Sequence, residues 1–214
     1  MNEDTSIIDT KTRSEKIKTF LIYNKKTLIS LIIIFLALII SFYSYKIYLE
    51  KKREQISNKY NNTIIDYQVS DKLKTISKLK DIINEKDSTY SPLALYFIID
   101  NNLIDNKSEI NSLFDILINK TSLENEIKNL IIYKKALFNA DQINEIELLN
   151  ILNPLINSKS VWRSHALYLI AEFFYNNGEK QKSRDFFKKI ISSDNSNANI
   201  LTSAKRRLSR DLSD

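Results

Sequence analysis

The sequence predicts an all-α protein, with one membrane-spanning helix near the N-terminus and a longer series of antiparallel helix pairs after it. Three observations predict this fold class. The chain of 214 residues contains one Gly and two Pro, whereas strands and tight turns usually need more of both. Apolar residues recur at three- and four-residue steps through most of the chain, as on the buried face of a helix. One uncharged stretch, 27–45, is long enough to cross a bilayer.

The uncharged stretch lies between Lys26 and Lys46 and is rich in Leu, Ile and Phe. At about 1.5 Å per residue it would span roughly 28 Å, close to the thickness of the hydrocarbon core. Two alternatives to a membrane helix fit this stretch less well. A buried core helix rarely lacks a polar face over such a length, and a cleaved signal peptide has a shorter apolar region followed by a small-residue cleavage site. Tyrosines on both sides suit the two interfaces of a membrane. We therefore predict a transmembrane helix over 27–48.

The segments that flank this helix are predicted to be helical as well. Residues 1–26 form a polar tail with a short amphipathic helix, in which Ile17, Phe20 and Leu21 share one face. This short helix either lies on the membrane surface or is the start of the membrane helix. Residues 49–69 are predicted to be a helical connector. The numbers of basic residues near the two ends of the span differ by one, so charge alone leaves the orientation open.

The remaining chain, 70–210, is predicted to be one domain of helices joined by short polar turns. Consecutive antiparallel helices of this kind are typical of a bundle or an α-solenoid. The apolar periodicity places the helices at 70–85, 91–103, 107–119, 121–138, 142–157, 160–177, 179–193 and 198–210.

Start and stop signals set several of these bounds. The dipeptides 70–71 (Ser-Asp) and 91–92 (Ser-Pro) have the form of helix caps. Thr121 and Glu124 have the spacing of a capping box. Pro154 should kink or end the helix in which it lies.

The segment 164–197 carries a pattern of large, small, aromatic and glycine residues that is typical of a tetratricopeptide repeat. Ala171 and Ser183 are small, which allows two helices to cross closely, and Gly178 allows a left-handed turn between them. A weaker copy lies about 35 residues earlier, where Ala136 corresponds to Ala171. We therefore predict a degenerate tetratricopeptide-like α-solenoid. The repeat-defining residues are Leu167, Ile170, Ala171, Phe174, Gly178, Ser183 and Phe187.

Few side chains in the sequence are suited to catalysis. The chain has one His and no Cys, and it contains neither a glycine-rich phosphate loop nor carboxylates at metal-ligand spacing. We therefore predict that the protein is not an enzyme and has no catalytic, metal-binding or cofactor-binding residues. The formal net charge of +6 is spread along the chain, so we do not predict a nucleic-acid partner.

A protein partner is the better prediction. In a tetratricopeptide fold, the first helix of each repeat lines a concave groove. Four polar or aromatic residues on the first helix of the best repeat recur at three- and four-residue steps, opposite Leu167 and Phe174. Aromatic residues often anchor interfaces. The alternative is that this side packs under the final helix or is merely exposed. The predicted partner-binding strip consists of His165, Tyr168, Glu172 and Tyr175.

With these motifs placed, the chain resembles the YfgM-like family, whose members are ancillary subunits of the bacterial Sec translocon (SecYEG) with a tetratricopeptide-like domain. The order of tail, single span and repeat domain is the same. The segment 15–30 is similar to the family's amphipathic lead-in, and 88–100 is similar to the segment that opens its first repeat. Trp162 stands before the last repeat as a family Trp does, and the run 178–180 with Ser183 matches the family's turn and small residue.

The resemblance implies a single-pass protein of the bacterial inner (plasma) membrane, with a cytoplasmic N-terminus and a periplasmic C-terminal domain. It also implies three kinds of protein partner: the Sec translocon, a membrane-anchored periplasmic chaperone of the peptidyl-prolyl isomerase class, and emerging secreted chains. The expected function is an interaction module that links them. Two alternatives stay open. One is a scaffold or assembly factor for a division or cytochrome-maturation complex, and the other is an enzyme or small-molecule binder.

Overall fold

The computed structural model describes residues 15–67 and 71–212. Within these ranges the chain forms ten α-helices and no β-strand, which confirms the all-α prediction. The tail residues 1–14 and the predicted cap residue Ser70 lie outside the described ranges. The helices are α1 (15–23), α2 (Lys25–Ile65), α3 (Lys72–Asn84), α4 (Tyr90–Asp100), α5 (Lys107–Lys120), α6 (Asn125–Asn139), α7 (Glu145–Ile156), α8 (Arg163–Asn176), α9 (Lys180–Ile191) and α10 (Ala198–Arg210).

The chain divides into two compact units, 1–55 and 56–214. The described part of the first unit consists of α1 and the apolar, N-terminal part of α2. α2 runs without a break through the predicted span 27–48 and into the predicted connector. None of its most apolar stretch is buried. Among the described residues, the chain therefore has one helix, near its N-terminus, that is long and apolar enough to cross a membrane.

The second unit is built from helices that pack in chain order. Each helix from α3 to α10 packs against the next one, and three pairs of alternate helices also touch: α3 with α5, α6 with α8, and α8 with α10. The buried apolar side chains form three clusters, centred on α3–α5, on α6–α8 and on α8–α10. α8 belongs to two of them. Ile170 and Phe174 enter the second cluster, whereas Leu167 and Ala171 enter the third.

The start of α4 differs from the prediction. α4 begins at Tyr90, and Asp87 caps it: its Oδ1 atom accepts hydrogen bonds from the backbone N–H groups of Thr89 and Tyr90 at 2.8 and 2.7 Å. Ser91 lies inside the first turn, where its hydroxyl donates to the backbone carbonyl of Ile82 at 2.7 Å. The predicted cap at Ser91 is therefore wrong, and this buried hydroxyl instead joins α4 to α3.

The predicted capping box at Thr121 and Glu124 is also wrong. Thr121 lies at the end of α5, and its hydroxyl donates to the backbone carbonyl of Ile116 at 3.2 Å. A capping box forms instead at the start of α7. Asn144 Oδ1 accepts from the Glu147 N–H at 3.0 Å, and the Glu147 carboxylate accepts from the Asn144 N–H at 3.2 Å. Asn caps a helix as well as Ser or Thr does, so the pattern of Ser or Thr three residues before Glu does not identify this box.

The predicted weaker repeat copy falls on α6 and α7. Ala136 on α6 and Ala171 on α8 are both fully buried, as their correspondence predicts. Pro154 lies inside α7, which ends two residues later at Ile156. Because proline lacks the N–H group that an interior helical position needs, the helix ends close to it.

The turn between α8 and α9 has the left-handed geometry that the sequence predicts. Gly178 has a φ of +80°, and its N–H donates to the carbonyl of Tyr175 at 3.0 Å. The N–H of Glu179 donates to the carbonyl of Phe174 at 2.9 Å. These two bonds form a Schellman motif, which satisfies the last carbonyls of α8. The other six repeat-defining residues are at most 3% exposed: Leu167, Ile170, Ala171, Phe174, Ser183 and Phe187.

Candidate functional site

Part of the predicted partner-binding strip lies under α10. Arg207 of α10 donates two hydrogen bonds to Glu172, from Nε to Oε1 at 2.7 Å and from Nη2 to Oε2 at 2.6 Å. The same guanidinium lies 4.1 Å from the ring centroid of Tyr175 and pairs with Asp211. The hydrogen bond with Glu172 raises the pKa of Arg207, so this group remains charged. Glu172 and Tyr175 therefore follow the alternative interpretation, in which this side of α8 packs against the final helix.

The other two members of the strip, His165 and Tyr168, are half-buried. The Tyr168 ring meets Phe187 of α9 edge-on, with centroids 5.3 Å apart, and burial raises the Tyr168 pKa. The His165 ring lies between Trp162 and Tyr133, with centroids 5.0 and 5.9 Å away. Burial lowers the pKa of His165, so its imidazole is neutral near pH 7. The four residues thus contact different neighbours, and their role in partner binding stays a prediction.

An open groove lies between α6 and α8, and we call it the α6–α8 groove. Its volume is about 660 Å³, within the range of roughly 300–1,000 Å³ that is usual for ligand pockets. Its apolar lining consists of Leu137 on α6, Ala140 and Ile143 between α6 and α7, and Leu169 and Phe173 on α8. The Leu137 side chain is 52% exposed, so the groove has apolar surface that the described residues leave uncovered.

Carboxylates supply the charged part of the groove lining, and no Lys or Arg of the described residues belongs to it. A single cation bridges two of them from outside the lining: Lys182 Nζ lies 2.8 Å from Glu145 and 2.7 Å from Glu179. These contacts raise the pKa of Lys182, so it is an ammonium at neutral pH. Asp141 is exposed and forms no ion pair within the described part of the chain. The acidic lining residues are Asp141, Glu145, Glu172 and Glu179.

Two turns place these carboxylates. The capping box at Asn144 fixes the first residue of α7, Glu145, at the groove. The Schellman turn at Gly178 places Glu179 on the other side, directly before α9. Both acids precede or begin a helix, where the positive end of the helix dipole favours negative charge. The local sequence therefore stabilises the acidic lining independently of any partner.

The stripe of α8 that lines the groove lies beside the predicted strip. It consists of Leu169, Phe173 and Asn176, which recur at four- and three-residue steps. Successive residues are about 100° apart around a helix, so this stripe and the predicted one share the same periodicity. Glu172 is the one predicted strip residue that also lines the groove. Periodicity does not distinguish the two stripes, because the choice depends on which helix packs against which side of α8.

The groove is lined by three kinds of side chain. It combines exposed apolar side chains, carboxylates and side-chain amides, and it holds no His or Ser among its lining residues. Within the described ranges, no group of three or more His, Cys, Asp or Glu side chains is placed to hold a metal ion. The arrangement offers apolar contact and attraction for a positive charge.

Comparison of the chain with protein-family models, with curated proteins and with solved structures found no significant match.

Proposed function

We propose that the chain is a membrane-anchored protein-interaction module. The observation that carries this proposal is the α6–α8 groove, an uncovered surface with mixed apolar and acidic lining, in the same chain as a long apolar helix. A helix that exposes so many Leu, Ile and Phe side chains is stable in a bilayer and would aggregate in water. The anchor would hold the groove close to one face of a membrane and so limit the partners it meets.

The finer architecture we propose is a degenerate tetratricopeptide-like α-solenoid. Its support is the packing of alternate helices, the left-handed turn at Gly178 and the burial of the small residues Ala171 and Ser183. In repeat folds of this kind each helix pair buries its apolar face against its neighbours, and a groove is left on one side.

The partners we propose come from the resemblance to the YfgM-like family. On this reading the chain is an ancillary subunit of the Sec translocon, with the N-terminus in the cytoplasm and the helical domain in the periplasm. It would link the translocon to a membrane-anchored periplasmic chaperone or to emerging secreted chains.

Site-specific photocrosslinking in native membranes tests this function. A photoreactive residue replaces Leu137 at the groove, and a control variant carries it at Leu73, which is 84% exposed on α3. We expect translocon subunits or a periplasmic chaperone to be crosslinked from position 137 and not from position 73. Recovery of division or cytochrome-maturation proteins would instead support the scaffold alternative. The same products from both positions, or none, would contradict an interaction site at the groove.

A further inference from the structure

We propose that the α6–α8 groove binds a cationic, apolar peptide segment, in which a Lys or Arg side chain stands next to a large aliphatic one. This inference rests on the proposed function, because it describes the partner surface that the interaction module recognises. It concerns the chemistry of the bound segment, whatever protein supplies that segment.

The apolar part of the groove sets the first requirement on the ligand. Leu137 and Leu169 face the groove from α6 and α8, and Phe173 adds an aromatic ring. Leu137 is about half exposed, although α6 packs against α5, α7 and α8. An aliphatic side chain placed between α6 and α8 would remove this apolar area from water, which is favourable in proportion to the area covered.

Charge complementarity sets the second requirement. Of the four carboxylates of the lining, Glu172 is paired with Arg207, and Glu145 and Glu179 share Lys182, so the groove keeps a net negative charge in a chain whose formal net charge is +6. An anionic segment would meet like charges there and would be rejected, whereas a cationic one is attracted. Grooves with lining charges of one sign also raise the local concentration of oppositely charged ligands.

Lys182 shows how these carboxylates hold an ammonium group. Its Nζ atom lies within hydrogen-bonding distance of Glu145 and Glu179 and 4.9 Å from the ring centroid of Phe174. Two carboxylates and an aromatic face are thus already arranged around one cation. Asp141, on the α6–α7 turn, has no cation of its own among the described residues. We assign it as the contact for a cation of the bound segment.

Two exposed amides complete the surface. Asn176 and Asn177, at the C-terminal end of α8, line the groove with their side chains at the surface. An amide both donates and accepts hydrogen bonds, so it can pair with the backbone of an extended peptide irrespective of the peptide's sequence. The amides would therefore contribute affinity, while the carboxylates and the apolar lining select the segment.

Peptide binding to the full chain in phosphatidylcholine nanodiscs tests this inference. The probe is a fluorescein-labelled octapeptide of alternating Leu and Lys, and fluorescence anisotropy reports its Kd. Two matched peptides replace every Lys by Glu or every Leu by Ser. We expect the Leu-Lys peptide to bind the protein more tightly than either matched peptide and more tightly than it binds empty nanodiscs.

Two pairs of variants locate the binding. Asp141→Lys reverses a charge in the groove, and Asp100→Lys makes the same change at an exposed site at the end of α4. We expect the Kd of the Leu-Lys peptide to rise roughly threefold to tenfold for Asp141→Lys and to stay unchanged for Asp100→Lys. Leu137→Ser should weaken binding by a similar factor, whereas Leu73→Ser should not. All four sites are exposed, so the variants should fold, which their urea unfolding midpoints verify.

Equal binding by the Leu-Glu peptide, or an Asp141→Lys protein that binds as tightly as the wild type, would overturn the inference. That failure is distinguishable from a failure of the proposed function. Crosslinks from Leu137 to translocon or chaperone subunits would still support the interaction module, and the groove would then recognise a segment of other chemistry.

Discussion

The contact between α8 and α10 allows a quantitative prediction. Arg207 and Glu172 make two short hydrogen bonds, and their side chains are 16% and 26% exposed. We consider a double-mutant cycle built from Arg207→Met, Glu172→Gln and the double variant. Glu172→Gln keeps the shape of the side chain and removes its charge, and Arg207→Met removes the guanidinium but keeps an unbranched apolar chain. Effects of each substitution on other contacts cancel in the cycle, which leaves the pairwise interaction.

The expected coupling free energy follows from the exposure of the pair. Exposed ion pairs contribute about 0.2–1 kcal/mol, and hydrogen bonds to charged groups contribute about 1.5–3 kcal/mol. This pair is bidentate and mostly shielded, yet water still reaches both partners, so we expect a coupling of about 1–2 kcal/mol. The contact of the guanidinium with the Tyr175 ring is lost in both variants that lack Arg207, and it therefore cancels in the cycle.

Urea unfolding in detergent micelles measures this coupling. Trp162 is the single tryptophan of the chain, and its ring stacks on Tyr133 in the second core cluster, so its fluorescence reports unfolding of the helical domain. A second cycle on Lys135 and Asp115 is the matched control. That pair has a similar N–O distance of 2.7 Å, but the Asp115 side chain is 51% exposed, so we expect a smaller coupling. A coupling between Arg207 and Glu172 below about 0.3 kcal/mol, the usual error of additivity, would refute the reasoning.

Three further predictions use the same urea titration. Gly178 has a φ of +80°, and a Cβ atom added there by Gly178→Ala would meet nothing within 4 Å. Backbone strain alone should therefore lower the free energy of unfolding by about 1–2 kcal/mol. An unchanged value would contradict the left-handed turn. Ser183→Ala removes a buried hydroxyl that has no hydrogen-bond partner among the described residues, so the free energy of unfolding should stay equal or rise by up to about 1 kcal/mol. A clear loss would mean that the hydroxyl is bonded. The hydrogen bond from Arg210 lowers the pKa of Asp211 from 3.8 to about 2. Because this pKa is lower in the folded protein, the ionised carboxylate stabilises the fold at pH values above the ordinary pKa of 3.8, and the effect is lost as the pH falls toward 2. The difference in stability between the wild type and Asp211→Asn should therefore shrink between pH 5 and pH 2. A constant difference would contradict this ion pair.

The helices of the domain were predictable because apolar periodicity is a local property. The predicted helices 70–85 and 179–193 correspond to α3 and α9, with bounds that differ by one or two residues. The fully buried residues of these helices, such as Leu79 and Phe187, are the ones that recur at helical spacing. A stretch of ten or more residues contains enough repeats of this spacing to identify a helix without knowledge of its neighbours.

The ends of the helices were less predictable, because several residue types can adopt the same turn. Gly178 marks its left-handed turn in the sequence, but Asn102 and Lys86 adopt φ values of 48° and 56° without a glycine. At Asn102 the hydrogen bonds from Leu103 to Ile98 and from Asn102 to Ile99 form another Schellman motif. Asn is the usual substitute for Gly in this position, whereas nothing in the sequence distinguishes Lys86 from other lysines.

The α6–α8 groove was not predicted, because it depends on contacts between distant segments. Leu137 and Leu169 line the same groove although more than thirty positions of the sequence separate them. The sequence shows that α8 has two candidate stripes, and the packing of α10 on one of them leaves the other for the groove. Arg207 contributes to the packing of α10 on α8 through its ion pair with Glu172, and a pairing of that kind is not visible in either helix alone.

The orientation of the anchor tests the central claim most directly. Alkaline phosphatase or green fluorescent protein is fused after Asp214, and each fusion is expressed in a bacterial inner membrane. Alkaline phosphatase is active only in the periplasm, and green fluorescent protein exported in unfolded form is fluorescent only in the cytoplasm. We predict an active phosphatase fusion and a dark fluorescent fusion, because the helical domain is proposed to lie in the periplasm. A fluorescent fusion with an inactive phosphatase would place the groove in the cytoplasm and contradict the proposed function.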